Sequence, residues 1–93
     1  TSATTLDQNI AGYFKSVEYI ITAKQGSDVD VTKILAIDTG TSMLGTEFAR
    51  ITSNSELASY EVDHDGIGFT RLRCTPASAT STVFTVIATY TES

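Results

Sequence analysis

Apolar and polar residues alternate along most of this chain, and a period of two is typical of β-strands with one buried face. The clearest run covers residues 13–24. Its apolar face comprises Val17, Tyr19, Ile21 and Ala23, and its other face is polar. This run therefore predicts a half-buried strand.

A second alternating run extends from Val29 to Asp38. The face that we predict to be buried comprises Val29, Val31, Leu35 and Ile37. Because Ile34 and Ala36 make the opposite face apolar as well, we expect this strand to be covered on both sides for part of its length. The residues between the two runs, 25–28, favour a turn, so the pair predicts a hairpin.

Four further strands are predicted at residues 43–52, 57–62, 67–75 and 83–91, with turn residues about every ten positions. This spacing predicts an all-β fold, either an antiparallel β-sandwich or a small barrel of about six strands. Residues 1–12 are polar apart from Leu6 and Ile10. We interpret them as an extended N-terminal arm that precedes a single β domain at 13–93.

Composition narrows the possible functions. A chain of 93 residues suits one domain, and its formal net charge of −5 opposes binding to a phosphate backbone, so we expect no nucleic-acid partner. No apolar run is long enough for a membrane helix, and we expect no membrane partner. Cys74 is the single cysteine, which leaves no intrachain disulfide and no cysteine-based zinc cluster.

The segment from Leu35 to Ser42 contains Asp38-Thr39-Gly40 and is similar to the active-site loop of aspartic proteases. That chemistry requires two carboxylates that share one proton, which a chain this short could supply only as a homodimer. The hydrophobic run followed by Gly-Arg that supports the loop in retroviral-type proteases has no match here. We therefore favour a hairpin turn, and we keep a homodimeric protease that uses Asp38 as a remote alternative.

Asp63, His64 and Asp65 place one imidazole and two carboxylates in a row. Neighbouring side chains on a strand point to opposite faces, so three consecutive residues rarely converge on one ion, and a hairpin tip at Asp65-Gly66 is the better interpretation. The only histidine lies in this turn, which leaves hydroxyl nucleophiles without an obvious base. We predict no catalytic residue, no cofactor and no metal site, and hence no enzyme.

Arg71 and Arg73 project to one side of a predicted strand, with Phe69 beside them. Arginine and aromatic residues are enriched in contact surfaces, but the same residues also suit a solvated face, and both interpretations stay open. The candidate contact residues are Leu6, Ile10, Tyr13, Phe14, Phe69, Arg71 and Arg73.

Three segments resemble a small β domain of virion structural proteins from tailed bacteriophages, in particular phages of cyanobacteria and other marine hosts. Residues 15–23 resemble the opening strand of that domain, residues 31–41 its second strand and turn, and residues 68–82 its closing signature. The resemblance covers roughly residues 15–90. Two positions depart from the pattern: Asp38-Thr39-Gly40 stands where His-Asp-Gly is more common, and Cys74 replaces an aliphatic residue or Phe.

The resemblance implies a structural component of a virion that is assembled in the host cytoplasm. The partners it implies are other virion proteins, either the major capsid protein or tail and baseplate components, and we expect a homo-oligomer in the particle. A single β domain without a fibre-like repeat favours a capsid decoration (cement) protein. A tail, baseplate or fibre module that engages a receptor is the alternative.

Overall fold

The computed structural model describes residues 2–10, 14–39, 41–78 and 80–92, which form seven antiparallel β-strands. The strands are β1 (Thr4–Ile10), β2 (Phe14–Gln25), β3 (Asp28–Asp38), β4 (Met43–Thr52), β5 (Ala58–His64), β6 (Phe69–Pro76) and β7 (Val83–Glu92). They form a four-stranded sheet, in the order β4-β3-β2-β7, and a three-stranded sheet, in the order β1-β6-β5. The predicted all-β sandwich is thus confirmed. Within the described ranges, no helix is suited to crossing a membrane.

The additional strand comes from the N-terminal segment. Residues Thr4–Ile10 are extended, as predicted, but they pair with β6 as an edge strand of the smaller sheet, with Ile10 opposite Phe69. A bulge between Thr5 and Asp7 interrupts the pairing at Leu6, whose side chain packs against the core. This pairing satisfies backbone groups along β6 that would otherwise face solvent.

The core lies between the two sheets and is built from the inward faces of their strands. The alternation in β2 is confirmed, because Val17, Tyr19, Ile21 and Ala23 are all buried. The central cluster comprises Phe14, Val17, Tyr19, Ile21, Ile34, Ala36, Met43 and Leu72. Partly buried side chains from β1, β5 and β7 surround this cluster.

The predicted facing of β3 is wrong. Asp30, Thr32, Ile34 and Ala36 are buried, whereas Leu35 and Ile37 are about half exposed. The alternation of Val29, Val31, Leu35 and Ile37 therefore lies on the outside of the sheet. The reason is that the inward face of this strand carries a carboxylate whose partner comes from the neighbouring strand.

That carboxylate belongs to Asp30, which is fully buried and bound by Arg50 of β4. The Arg50 Nε donates to Asp30 Oδ1 at 3.1 Å, and its Nη2 forms an ion pair with Oδ2. The same Nη2 donates to the carbonyl of Ala58, and the backbone N–H of Leu57 donates to Asp30 Oδ2 at 3.0 Å. A buried charge is stable only when it is paired in this way, so the ion pair holds β3, β4 and the start of β5 together.

A second polar cluster joins the two sheets near the N-terminus. The Asp7 carboxylate of β1 accepts hydrogen bonds from the hydroxyls of Tyr19, at 3.2 Å, and Tyr90. The Asn9 side-chain amide donates to both Asp7 Oδ2 and the Tyr90 hydroxyl. These contacts satisfy the polar ends of two inward-facing aromatic side chains.

Replacement of Arg50 by Met should leave the Asp30 carboxylate buried without its counter-ion. We expect this change to lower the free energy of unfolding by about 3–5 kcal/mol, the usual cost of breaking a buried ion pair. The matched control is Glu47→Gln, which removes an exposed partner of the same guanidinium and should cost less than about 1 kcal/mol. Urea unfolding followed by circular dichroism measures both, and equal losses would contradict the assigned role of Asp30.

Stability should fall as the pH rises above about 10. Burial and the neighbouring Asp7 carboxylate raise the pKa of both Tyr19 and Tyr90 above the usual value. The unfolded chain therefore releases phenol protons near pH 10 while the folded chain keeps them. Their contribution to stability is present below pH 10 and is lost above it, by about 1.4 kcal/mol per pH unit for Tyr19. The variant Tyr19→Phe should show a shallower alkaline decline in urea unfolding. An unchanged slope would contradict this cause.

Candidate interaction surface

The outer face of the four-stranded sheet is rich in exposed aliphatic side chains. Cross-strand partners share a face of a sheet, so the pairs Ile37 with Leu44 and Ile20 with Ile87 lie on the outside together. Exposure on this side reaches 56% for Leu44 and 77% for Ile51. We call this surface the apolar face; its exposed aliphatic residues are Leu35, Ile37, Leu44, Ile51, Val83 and Ile87.

A shallow groove of about 280 Å³ runs along the apolar face between β3 and β4. Its walls are the side chains of Leu35, Ile37, Leu44 and Thr46, and the backbone of Ala36 and Gly45 passes beneath it. Position 45 requires a glycine because of the packing on the inner side of the sheet, opposite the groove. A Cβ at this position would lie 2.6 Å from Val62 Cγ2 of β5. The groove therefore lies on the outer side of the point where Gly45 of β4 packs against Val62 of β5.

The outer face of the three-stranded sheet has the opposite character. Arg71 of β6 makes a bidentate ion pair with Asp63 of β5, with N–O distances of 2.7 and 2.8 Å. Arg73 lies 3.9 Å from the same carboxylate. We call this surface the polar face. Its arginine side chains form ion pairs with a carboxylate of the neighbouring strand. Such pairs are typical of a surface that faces water.

The predicted contact residues are divided between the polar face and the core. Ile10, Phe69, Arg71 and Arg73 come together on the polar face, where Ile10 is 68% exposed beside Phe69. Leu6 packs on the core, and Phe14 is buried there with its ring centroid 4.9 Å from that of Tyr90. Tyr13 lies outside the described residues.

The two segments considered for chemistry both form turns. Asp38 ends β3 in a buried position opposite Met43, and the backbone N–H of Thr39 donates to the carbonyl of Ser42 at 3.0 Å. At the other segment, Asp65 Oδ1 accepts the backbone N–H groups of Ile67 and Phe69. No metal-binding group of three or more His, Cys, Asp or Glu side chains occurs among the described residues.

Sequence reasoning missed the apolar face as a candidate surface. The available signal was in β3, where both alternating sets are apolar between residues 34 and 37. We interpreted that signal as a strand covered on both sides, but the described residues cover only one side. An aliphatic set on the uncovered side of such a strand is a marker of a contact surface.

Comparison of the chain with protein-family models, with curated proteins and with solved structures found no match. The resemblance of residues 15–90 to virion β domains therefore stays a prediction.

Aliphatic residues on the apolar face should contribute little to the stability of the isolated chain. Thr in place of Ile37 or Leu44 should change the free energy of unfolding by less than about 1 kcal/mol, because both side chains are already about half exposed. The control is Ile34→Thr on the inward face of the same strand, where a buried hydroxyl and a lost methyl should cost about 2–4 kcal/mol. Chemical denaturation compares the three variants, and similar losses at all three positions would contradict the assigned facing.

Proposed function

We propose that this chain is a non-enzymatic structural component of a tailed bacteriophage virion, and that it acts as a capsid decoration (cement) protein. The observation that supports this proposal is the apolar face. Six exposed aliphatic residues and a groove occupy one side of the sandwich, and exposed apolar surface of this kind marks interaction sites in soluble proteins. The resemblance of residues 15–90 to virion β domains supports a virion as the particle.

Such a protein would work by adding buried contact area across neighbouring subunits. A standard interface buries about 1,600 Å² in total, and symmetry repeats each contact many times over a shell. The subunit then needs no single strong interaction, since the stabilisation of the particle accumulates over all copies. The proposed neighbours in the head are the major capsid protein and other copies of this chain.

We propose that four exposed residues of the apolar face, on strands β3 and β4, form a rigid part of this contact. They project from strands in the middle and at one edge of a hydrogen-bonded sheet, so their positions are largely set before binding. Preorganised side chains lose little conformational entropy on association, which favours affinity for a given area. These residues are Leu35, Ile37, Leu44 and Ile51.

Purified virions of the phage that encodes this chain provide the test. We expect a gold-labelled antibody against the chain to mark the heads, and heads that lack the chain to break at lower temperature or lower osmotic stress. Added native chain should restore that resistance, because it restores the buried contacts, whereas the folded variant Ile37→Lys should not. Ile67→Lys, at an exposed position in the β5–β6 turn, is the matched control and should restore it fully.

Two other results would contradict the proposal. Antibody bound only at the tail or baseplate would favour the alternative of a tail, baseplate or fibre module. Cleavage of a peptide library at acid pH, abolished in Asp38→Asn, would instead support the homodimeric protease, in which Asp38 supplies one of two carboxylates.

A further inference from the structure

We infer that a second copy of this chain covers the apolar face, as a two-fold symmetric dimer in which Glu18 of each copy pairs with Lys33 of the other. This inference deepens the proposed function, on which it rests, because it names the partner of the same surface. It would leave the polar face of each copy directed away from the dimer interface.

The size of the apolar face suits a dimer. Four strands at a spacing of about 4.8 Å, with about ten residues each at about 3.3 Å, give a surface of roughly 600 Å². Two copies would then bury about 1,200 Å² in total, which reaches the lower end of the range for stable protein interfaces. The apolar side chains are distributed over all four strands, so the whole sheet can contribute.

The distribution of charge favours contact between two copies at the apolar face over contact at the other surfaces of the chain. The chain has a formal net charge of −5, so two copies repel each other in most orientations. Along the paired strands, the outward positions of the apolar face carry one acidic residue, Glu18, and two basic residues, Lys24 and Lys33. The remaining surface is correspondingly more acidic. Two copies therefore meet with the least repulsion when their apolar faces are in contact.

Glu18 and Lys33 are placed so that a two-fold axis can pair them. Glu18 lies opposite Leu35 and Lys33 lies opposite Ile20, so the two charges are diagonal neighbours on the central strands β2 and β3. In the described part of the chain, neither residue takes part in an ion pair. An axis in the plane of the face, between the two residues, places each glutamate over the lysine of the other copy. A self-complementary patch of this kind is what a two-fold interface requires.

Charge reversal tests this pairing in the complete 93-residue chain. Sedimentation equilibrium over a range of concentrations should show a dimer with a dissociation constant of micromolar order. Glu18→Lys and Lys33→Glu alone should each weaken dimerisation by at least about tenfold, because each places like charges in contact twice per dimer. The double variant with both changes should recover most of the native affinity, since it rebuilds both pairs with reversed polarity.

Glu61→Lys, on the polar face, is the matched control and should dimerise like the native chain. Thermal unfolding establishes that every variant is folded. The inference is overturned if the native chain stays monomeric up to about 1 mM, if the single reversals leave dimerisation unchanged, or if the double variant fails to recover. A monomeric chain that still decorates heads through Ile37 would overturn the inference and leave the proposed function standing. If the double variant recovers dimerisation but the chain is absent from virions, the inferred dimer stands and the proposed function is overturned.

Discussion

The buried ion pair between Asp30 and Arg50 decides which side of β3 faces the core. Side chains alternate along a strand, so a carboxylate held inside by a guanidinium and a backbone N–H also sets the positions of every second residue after it. Thr32, Ile34 and Ala36 follow Asp30 into the core. Leu35 and Ile37 are then necessarily outside. The opposite facing would bury those two aliphatic residues but would leave Asp30 outside and Arg50 without its partner.

The result is a sandwich with two unlike outer surfaces. One sheet presents ion pairs between Asp63 and Arg71 to solvent, and the other presents aliphatic side chains and a groove. The sandwich is held together without the apolar face, since the core cluster and the polar contacts of Asp7 with Tyr19 and Tyr90 all lie between the sheets. The aliphatic residues outside are therefore best explained by a contact beyond the chain, which connects the facing of one strand to the proposed role.

Much of the fold could be predicted from the sequence because most strands have one apolar and one polar face. The buried sets of β2 and the outward arginines of β6 follow directly from alternation. In β3 the alternation misleads, because the inward set begins with a charge that is neutralised only by a residue twenty positions later. Such a long-range pair is not visible in a local pattern. In β4, a register shift opposite Lys33 and Ile34 breaks the period of two, so an alternating pattern does not assign its faces.

The candidate surface was also less predictable than the fold, because it too depends on contacts between residues that are far apart in the sequence. Most candidate contact residues were aromatic residues or arginines, and the structure places Phe14 in the core and pairs Arg71 with Asp63. The N-terminal segment could be predicted as extended, but its pairing with β6 depends on which sheet edge is open, and only the folded arrangement of the other strands determines that edge.

Hydroxyl-radical footprinting of the chain, read by mass spectrometry, tests most directly whether the apolar face is the contact surface. The chain would be labelled once in the assembled particle and once after dissociation into single subunits. We predict that Leu35, Ile37, Leu44 and Ile87 react in the free subunit and are protected in the particle, while Ile10 and Phe69 react similarly in both. Protection of Ile10 and Phe69 with continued reaction of the four aliphatic residues would contradict it.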